Sequence, residues 1–287
     1  MSSQRPNYLF FLPMLVVLGL YGSAFATFVL TSFYRGTSDG RVDTSDAGLQ
    51  NYSRFFETPA PAATLADTFL ISLLLTIITL VLAYPFAYLL TRTQSSGLRR
   101  FLLGAVMVTF LSGGITRAYA WMVVLGNSGL INRSLLALGL DRLPLVHNLT
   151  GVVIALVHFL LPFCILTLIG TFQTLPRNLE EASTSLGASR LRTFWTVVVP
   201  LTLRGAVGAG VLTLSVAVSA FLFPLLLGGG RVRMMSNHIY ELIFINFDIP
   251  YAAATALIFL VVTVVAISAL TVALGRVVDD RRWGAAR

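Results

Sequence analysis

Residues able to do chemistry are scarce in this chain, and most of them sit in one place. Between residues 175 and 200 the sequence reads LPRNLEEASTSLGASRLRTFWTVVVP, with Glu180 beside Glu181, the small residues Ala182, Ser183, Gly187 and Ala188, and three arginines. Carboxylates in the first turn of a helix are favoured by the helix dipole. One that faces outward can accept a charge-assisted hydrogen bond from an arginine or lysine of a partner. The same carboxylates could equally serve only as local caps of the helix, where an Ala would cost about 1 kcal/mol. An acid–base or metal-assisted reaction would need a cluster of further titratable or ligating groups. The histidines, His147, His158 and His238, are far apart and have no ligand spacing, so no metal site is expected. The lone cysteine, Cys164, lies inside an apolar run, where it reads as a small core residue and can form no internal disulfide. All 20 basic residues are arginine. A Walker-type phosphate loop needs a lysine, so Gly228-Gly229-Gly230-Arg231 is not one, and no ATP site of that kind is expected.

The elements that must position the two glutamates follow from spacing. Leu179, Ala182, Ser183 and Leu186 fall at i, i+3, i+4 and i+7, which is one face of a helix. Asn178 and Glu181 have capping-box spacing just after Pro176. Gly187 then ends the helix as a left-handed cap or sharp turn. Ser189 caps a second helix, with Leu191, Phe194, Trp195 and Val198 along one face. The spacing predicts a small amphipathic helix-turn-helix with its carboxylates at the leading end. A solvated loop between membrane spans is the plainer reading of the same residues.

Around that hairpin the chain is apolar. It has 287 residues, 56% hydrophobic and 11% charged, with a mean hydropathy of +0.83; soluble domains carry about 25% charged residues. Apolar runs at 8–33, 65–90, 101–125, 150–172, 201–227 and 251–274 are each long enough to cross a bilayer core of about 30 Å. The expected fold is an all-α polytopic membrane protein: one domain over 1–287, six transmembrane helices, and the hairpin between the fourth and fifth. Ser23-Ala24-Phe25-Ala26 loosely imitates a signal-peptidase site, but its run exceeds the usual h-region of about 7–15 residues and is read as a retained span. The polar segment 35–64 holds a short helix at 49–56 and no strand alternation. Pro85, Pro162 and Pro224 predict kinks within spans. Gly104, Gly113 and Gly114 read as close-packing points between helices.

Arginines gather at Arg5, at Arg92, Arg99 and Arg100, around the hairpin (Arg177, Arg190, Arg192, Arg204), and in the tail at Arg276, Arg281, Arg282 and Arg287. They are sparser over the longer loops of the other side. Positive charge stays inside, so the hairpin and both termini are expected in the cytoplasm. The net charge of +8 is thus explained by orientation in lipid, with no nucleic-acid partner. Inside the third span Arg117 would cost about 2.5–3.5 kcal/mol if it faced lipid, so it should face protein, a cavity or the interface. With Tyr119, Phe221 and Pro224 it is a candidate for the lining of a substrate pathway; the plainer alternative is an arginine paired within the bundle. Asp67 and His158 carry the same two readings.

Glu181-Ala182-Ser183, three residues, Gly187, nine residues, then Val197-Val198-Val199-Pro200 resembles the E-A-A-x3-G-x9-I-x-L-P signature. That signature belongs to the inner-membrane permease subunits of binding-protein-dependent ABC importers of the type I fold. The departures are Ser for Ala and Val at the aliphatic positions. The resemblance implies that Glu180, Glu181, Ala182, Ser183, Leu186, Gly187 and Ala188 belong to a coupling helix docked on a separate ATPase subunit. It further implies a second permease subunit, identical or different, a dimer of ATP-binding subunits that hold the ATP and Mg, and a periplasmic solute-binding protein. This chain would bind no cofactor, catalyse no reaction itself and lie as a multi-pass protein in the bacterial inner membrane. Leu49-Gln50-Asn51-Tyr52, Tyr84-Pro85-Phe86-Ala87-Tyr88, Arg117-x-Tyr119, Gly129-Leu130-Ile131-Asn132 and Leu161-Pro162-Phe163 look like the spermidine/putrescine branch, which implies a small solute such as a polyamine. A secondary transporter would favour midspan coupling carboxylates and an internal repeat, and neither is present. An integral-membrane enzyme would need the cluster of groups that is missing above.

Overall fold

Long apolar runs become long helices because a backbone in hydrocarbon must satisfy its own N–H and C=O groups. The computed structural model describes residues 12–37 and 41–284. The expected start of the first span at 8–11, together with Arg5, Arg287 and the side chains of Arg281 and Arg282, lies outside the described residues. In chain order the elements begin with α1 (Leu12–Thr31), strands β1 (Tyr34–Gly36) and β2 (Val42–Ala47), α2 (Gln50–Glu57), α3 (Pro59–Arg92), α4 (Ser96–Leu111), α5 (Gly114–Leu125) and α6 (Leu130–Ala137). They continue with α7 (Leu149–Gln173), α8 (Arg177–Ser185), α9 (Arg190–Thr193), a π-helical turn (Phe194–Val198), α10 (Val199–Val218), α11 (Leu222–Leu227), α12 (Met235–Phe244) and α13 (Ile249–Gly284).

Among the described residues five helices are long and apolar enough to cross a membrane: α1, α3, α7, the stretch Arg190–Val218, and α13. The third expected run is not one straight helix. It breaks at Ser112 and Gly113, both extended, and α4 meets the helical segment that follows at 101°. Ser-Gly-Gly has poor helix propensity, and the turn lets α5 pack on α7 and α11: a Cβ on Gly114 would lie 3.8 Å from both Phe159 and Leu222. Gly114 is thus a close-packing point, whereas Gly104 has nothing within 4 Å and Gly113 marks the break. The fifth run also ends early, at Val218, and Pro224 sits in the first turn of α11. There its missing N–H breaks no helical hydrogen bond, so it starts a helix where a kink had been expected. Pro85 and Pro162 lie inside uninterrupted helices.

The chain divides into two compact units, the residues up to Ala63 with His238–Val261, and Thr64–Asn237 with the residues from Val262 on. In the first, β1 and β2 pair antiparallel with a bulge at Tyr34/Arg35. This ribbon is a small addition to the all-α fold, and its two short polar strands carry no alternating apolar signal, in keeping with the sequence. Asn51 explains part of the Leu49–Tyr52 motif, since its Nδ2 donates to the carbonyls of Ser32 (2.9 Å) and Tyr34 (2.8 Å) and ties α2 to the end of α1. Asp248 takes Arg54 at 2.7 Å, and the Arg54 guanidinium lies 4.1 Å above the Tyr251 ring. The second unit has two apolar cores. One joins Leu75, Leu125, Leu156, Leu160, Phe223 and Leu227. The other joins Ala83, Ala87, Cys164, Leu168, Phe172 and Val198, beside the hairpin. Asn132 accepts from the Leu143 N–H and donates to the carbonyls of Gly126 and Leu143, closing the loop after α5.

Candidate functional site

Residues 175–200 form the predicted helix-turn-helix with local differences at both helices: the second is only Arg190–Thr193 before the chain passes through the π-helical turn into α10, and the first starts without its expected cap. Pro176 takes the N-cap position of α8 with φ −62° and ψ 135° and no side-chain cap, so Asn178 lies inside the first turn and the expected capping box is not formed. Proline's fixed φ already starts the helix. At the far end Gly187 has φ +85°. Ala188 N–H donates to the Ser183 carbonyl at 3.2 Å and Gly187 N–H to that of Thr184 at 3.0 Å. That is a Schellman cap, which a residue free of Cβ strain makes readily. Ser189 Oγ accepts from Arg192 N–H at 3.3 Å and so caps the second helix. The hydroxyls of Ser183 and Thr193 meet at 2.9 Å and hold the two helices together.

The apolar faces split between inside and outside. Thr193 and Val198 are buried and Phe194 half-buried, yet Leu186 is 90% exposed, Leu191 69% and Trp195 62%. Ala182 and Glu181 also face outward. Leu186, beside the Gly187 turn, is a large apolar side chain left uncovered at a place where another surface can sit.

The two glutamates have different surroundings. Glu180 turns inward, its side chain 15% exposed; Oε1 lies 2.6 Å from Arg92 Nη2 and 2.7 Å from Arg92 Nε. Tyr88 donates its hydroxyl to Glu180 Oε2 at 2.8 Å. Arg92 also donates to the Leu175 carbonyl at 3.0 Å, and Arg177 to the Thr91 carbonyl at 3.1 Å. Tyr84 and Tyr88, one helical turn apart on α3, each stand edge-on to Phe172 and Phe194 at 5.0–5.8 Å between centroids. Sequence reading grouped Glu180 with Glu181 and missed this anchor. Its signal was Arg92 at the end of an apolar run together with the i, i+4 tyrosine pair. A cavity of about 620 Å³ opens between the end of α3 and the hairpin, with Arg92, Arg177, Arg190, Glu180 and Glu181 among its lining residues.

The candidate pathway residues fall on adjacent elements, Arg117 and Tyr119 on α5, Phe221 and Pro224 at the start of α11. Arg117 is half-buried over the Phe159 ring at 4.6 Å, and its Nε and Nη1 are buried without a hydrogen-bond partner. Among the described residues no carboxylate pairs with it, and its contact within the bundle is the Phe159 ring. Tyr119 is 53% exposed, Phe221 half-buried and Pro224 buried. The Phe221 carbonyl accepts from Asn237 Nδ2 at 3.0 Å. His158 Nδ1 accepts from Trp121 Nε1 at 3.1 Å, and Asp67 is exposed. No group of three or more His, Cys, Asp and Glu that could hold a metal occurs among the described residues.

The family described as binding-protein-dependent transport system inner membrane component matches residues 60–283. The chain is 32% identical over 212 residues to the spermidine/putrescine transport system permease protein PotB of Escherichia coli (strain K12), covering 73% of this chain and 76% of that protein. It is 32% identical over 211 residues to PotB of Haemophilus influenzae, covering 73% of each. A chain of the bacterial alginate ABC transporter in complex with alginate pentasaccharide-bound periplasmic protein has the same fold, with a TM-score of 0.80 over 94% of both chains at 16% identity. Since the family match runs from the start of α3 through the hairpin and into α13, the chain belongs to the binding-protein-dependent transport system inner membrane components: it is a permease subunit of an ABC importer.

Proposed function

We propose that this permease and a second permease subunit form the pathway for a polyamine such as putrescine or spermidine. A periplasmic solute-binding protein delivers the solute, and a dimer of ATP-binding subunits, holding the ATP and Mg, docks on residues 175–200. The observation that carries the docking is the outward surface of the hairpin, where Glu181 and Leu186 are exposed while Glu180 is held inside. Glu181 accepts a charge-assisted hydrogen bond from an arginine or lysine of the ATPase, worth about 1.5–3 kcal/mol. The solute class rests on the likeness to the two spermidine/putrescine permeases. The chain is one transmembrane domain in the bacterial inner membrane, with the hairpin and both termini in the cytoplasm, as the arginine distribution favours. Closure of the ATPase dimer draws the two hairpins together and opens the pathway outward; hydrolysis resets it. The route runs between the two permeases, lined here by α5 and α11, with Arg117, Tyr119, Phe221 and Pro224.

The test is a complex purified with its partners. Glu181→Arg and Gly187→Val are expected to insert normally but to release the ATPase subunits or abolish solute-stimulated hydrolysis. A side chain at φ +85° costs about 1–2 kcal/mol, more for a β-branched residue, and tilts the docking surface. Normal values for both variants would make the hairpin an ordinary loop. Vesicles holding the wild-type complex are expected to take up labelled putrescine or spermidine when the binding protein is added; a complex active only with another solute would refute the polyamine assignment.

A further inference from the structure

We infer that Glu180 is a positioning residue that locks the coupling hairpin to the inner end of α3, so that α8 and the second membrane helix move as one body. The inference rests on the hairpin being the ATPase docking element and names how force leaves it. Four charge-assisted or hydroxyl contacts join the two elements: both Arg92 contacts to Glu180 Oε1, the Tyr88 hydroxyl to Oε2, and Arg177 to the Thr91 carbonyl. The side chains of Arg92 and Glu180 are each 15% exposed and line the cavity beside the hairpin, so the pair is screened less than a fully exposed ion pair. Below it, Tyr84 and Tyr88 wedge between Phe172 at the end of α7 and Phe194 in the turn that leads to α10. A displacement of α8 therefore acts first on α3, which at 34 residues is about 50 Å long and exceeds the hydrocarbon core. Glu181, one residue on, stays free for the partner. The adjacent glutamates thus divide the work: Glu181 receives the ATPase and Glu180 passes its motion into the membrane.

The test uses the whole importer in detergent or nanodiscs, with Glu180→Gln, Arg92→Gln, Tyr88→Phe and the reversed pair Arg92→Glu with Glu180→Arg. Two quantities are read, the amount of ATPase subunit that copurifies and the ratio of ATP hydrolysis with and without the system's own periplasmic binding protein. Glu180→Gln and Arg92→Gln are expected to retain the ATPase and to lose about tenfold or more of the stimulation; Tyr88→Phe should lose less. The reversed pair is expected to recover a large part of it, which simple loss of fold would not do. If Glu180→Gln fails to reach the membrane, Arg92→Gln and the reversed pair report on the same link. Loss of the ATPase from Glu180→Gln would overturn the inference by returning Glu180 to the docking face. Full stimulation in both Gln variants would overturn it as well, as would a reversed pair no better than either single variant. Failure of the docking reading itself appears separately, as Glu181→Arg and Gly187→Val that both retain the ATPase and keep normal solute-stimulated hydrolysis.

Discussion

Gly205 and Arg117 show two constraints that act on single residues. A Cβ on Gly205 would fall inside the Thr171 side chain, where α10 crosses α7. Small residues at such crossings let membrane helices approach closely, and overfilling costs about 1–3 kcal/mol. Gly205→Val is expected to lower the melting temperature in detergent, while Gly208→Val, where a Cβ meets nothing within 4 Å, should leave it unchanged. Arg117 is constrained by charge. Buried nitrogens without hydrogen bonds are unfavourable, and the Phe159 face offsets this by only about 0.5–2 kcal/mol. Arg117→Met keeps the bulk and removes the charge. It is expected to melt at the same or a higher temperature and to lose transport several-fold. Wild-type transport in that variant would assign Arg117 to packing alone.

Among the elements, the break in the third span and the cap of α8 contrast two uses of glycine. Gly113 has φ −60° and ψ 143°, open to any residue, and a Cβ there would meet only Thr116 Oγ1 at 3.9 Å. Alanine gains about 1 kcal/mol of helix propensity over glycine, too little to undo the packing of α5 on α7 and α11. Gly113→Ala is therefore expected to transport within about twofold of wild type, and a large loss would make this glycine a working hinge. Gly187, at positive φ, has no such tolerance. Much of the hairpin was legible: its helical face, Gly187 and the Ser189 cap each follow from residues within a few positions. The capping box at Asn178 failed because Pro176, two residues before, starts the helix earlier. The 101° bend was not legible. Ser-Gly-Gly reads equally well as a packing point, and the angle is set by helices distant in sequence.

For the whole molecule the open quantity is orientation. With a Cys164→Ala background, single cysteines at Ser45 and Ser96, both exposed positions, report on it through an impermeant thiol reagent in intact cells. Ser45→Cys is expected to react and Ser96→Cys to stay unlabelled; the reverse pattern would invert the proposed topology. Cys164 itself is fully buried in the core beside the hairpin, so its replacement removes little more than a sulfur's packing.

The sequence alone determined that this is a polytopic helical membrane protein with one polar hairpin between spans, because hydropathy, helix periodicity and glycine or serine capping are local properties. It also determined the family, through residues closely spaced along the hairpin. Only the tertiary structure decided what those residues face. Glu180 and Glu181 are chemically identical neighbours, but one residue of helix turns a side chain by about 100°. Which of them meets a cation depends on where α3 ends, 88 residues earlier in the chain. Arg117 likewise reads the same whether a carboxylate or the Phe159 ring lies beside it. Such pairings are made by the approach of distant elements, and no spacing within one stretch encodes them.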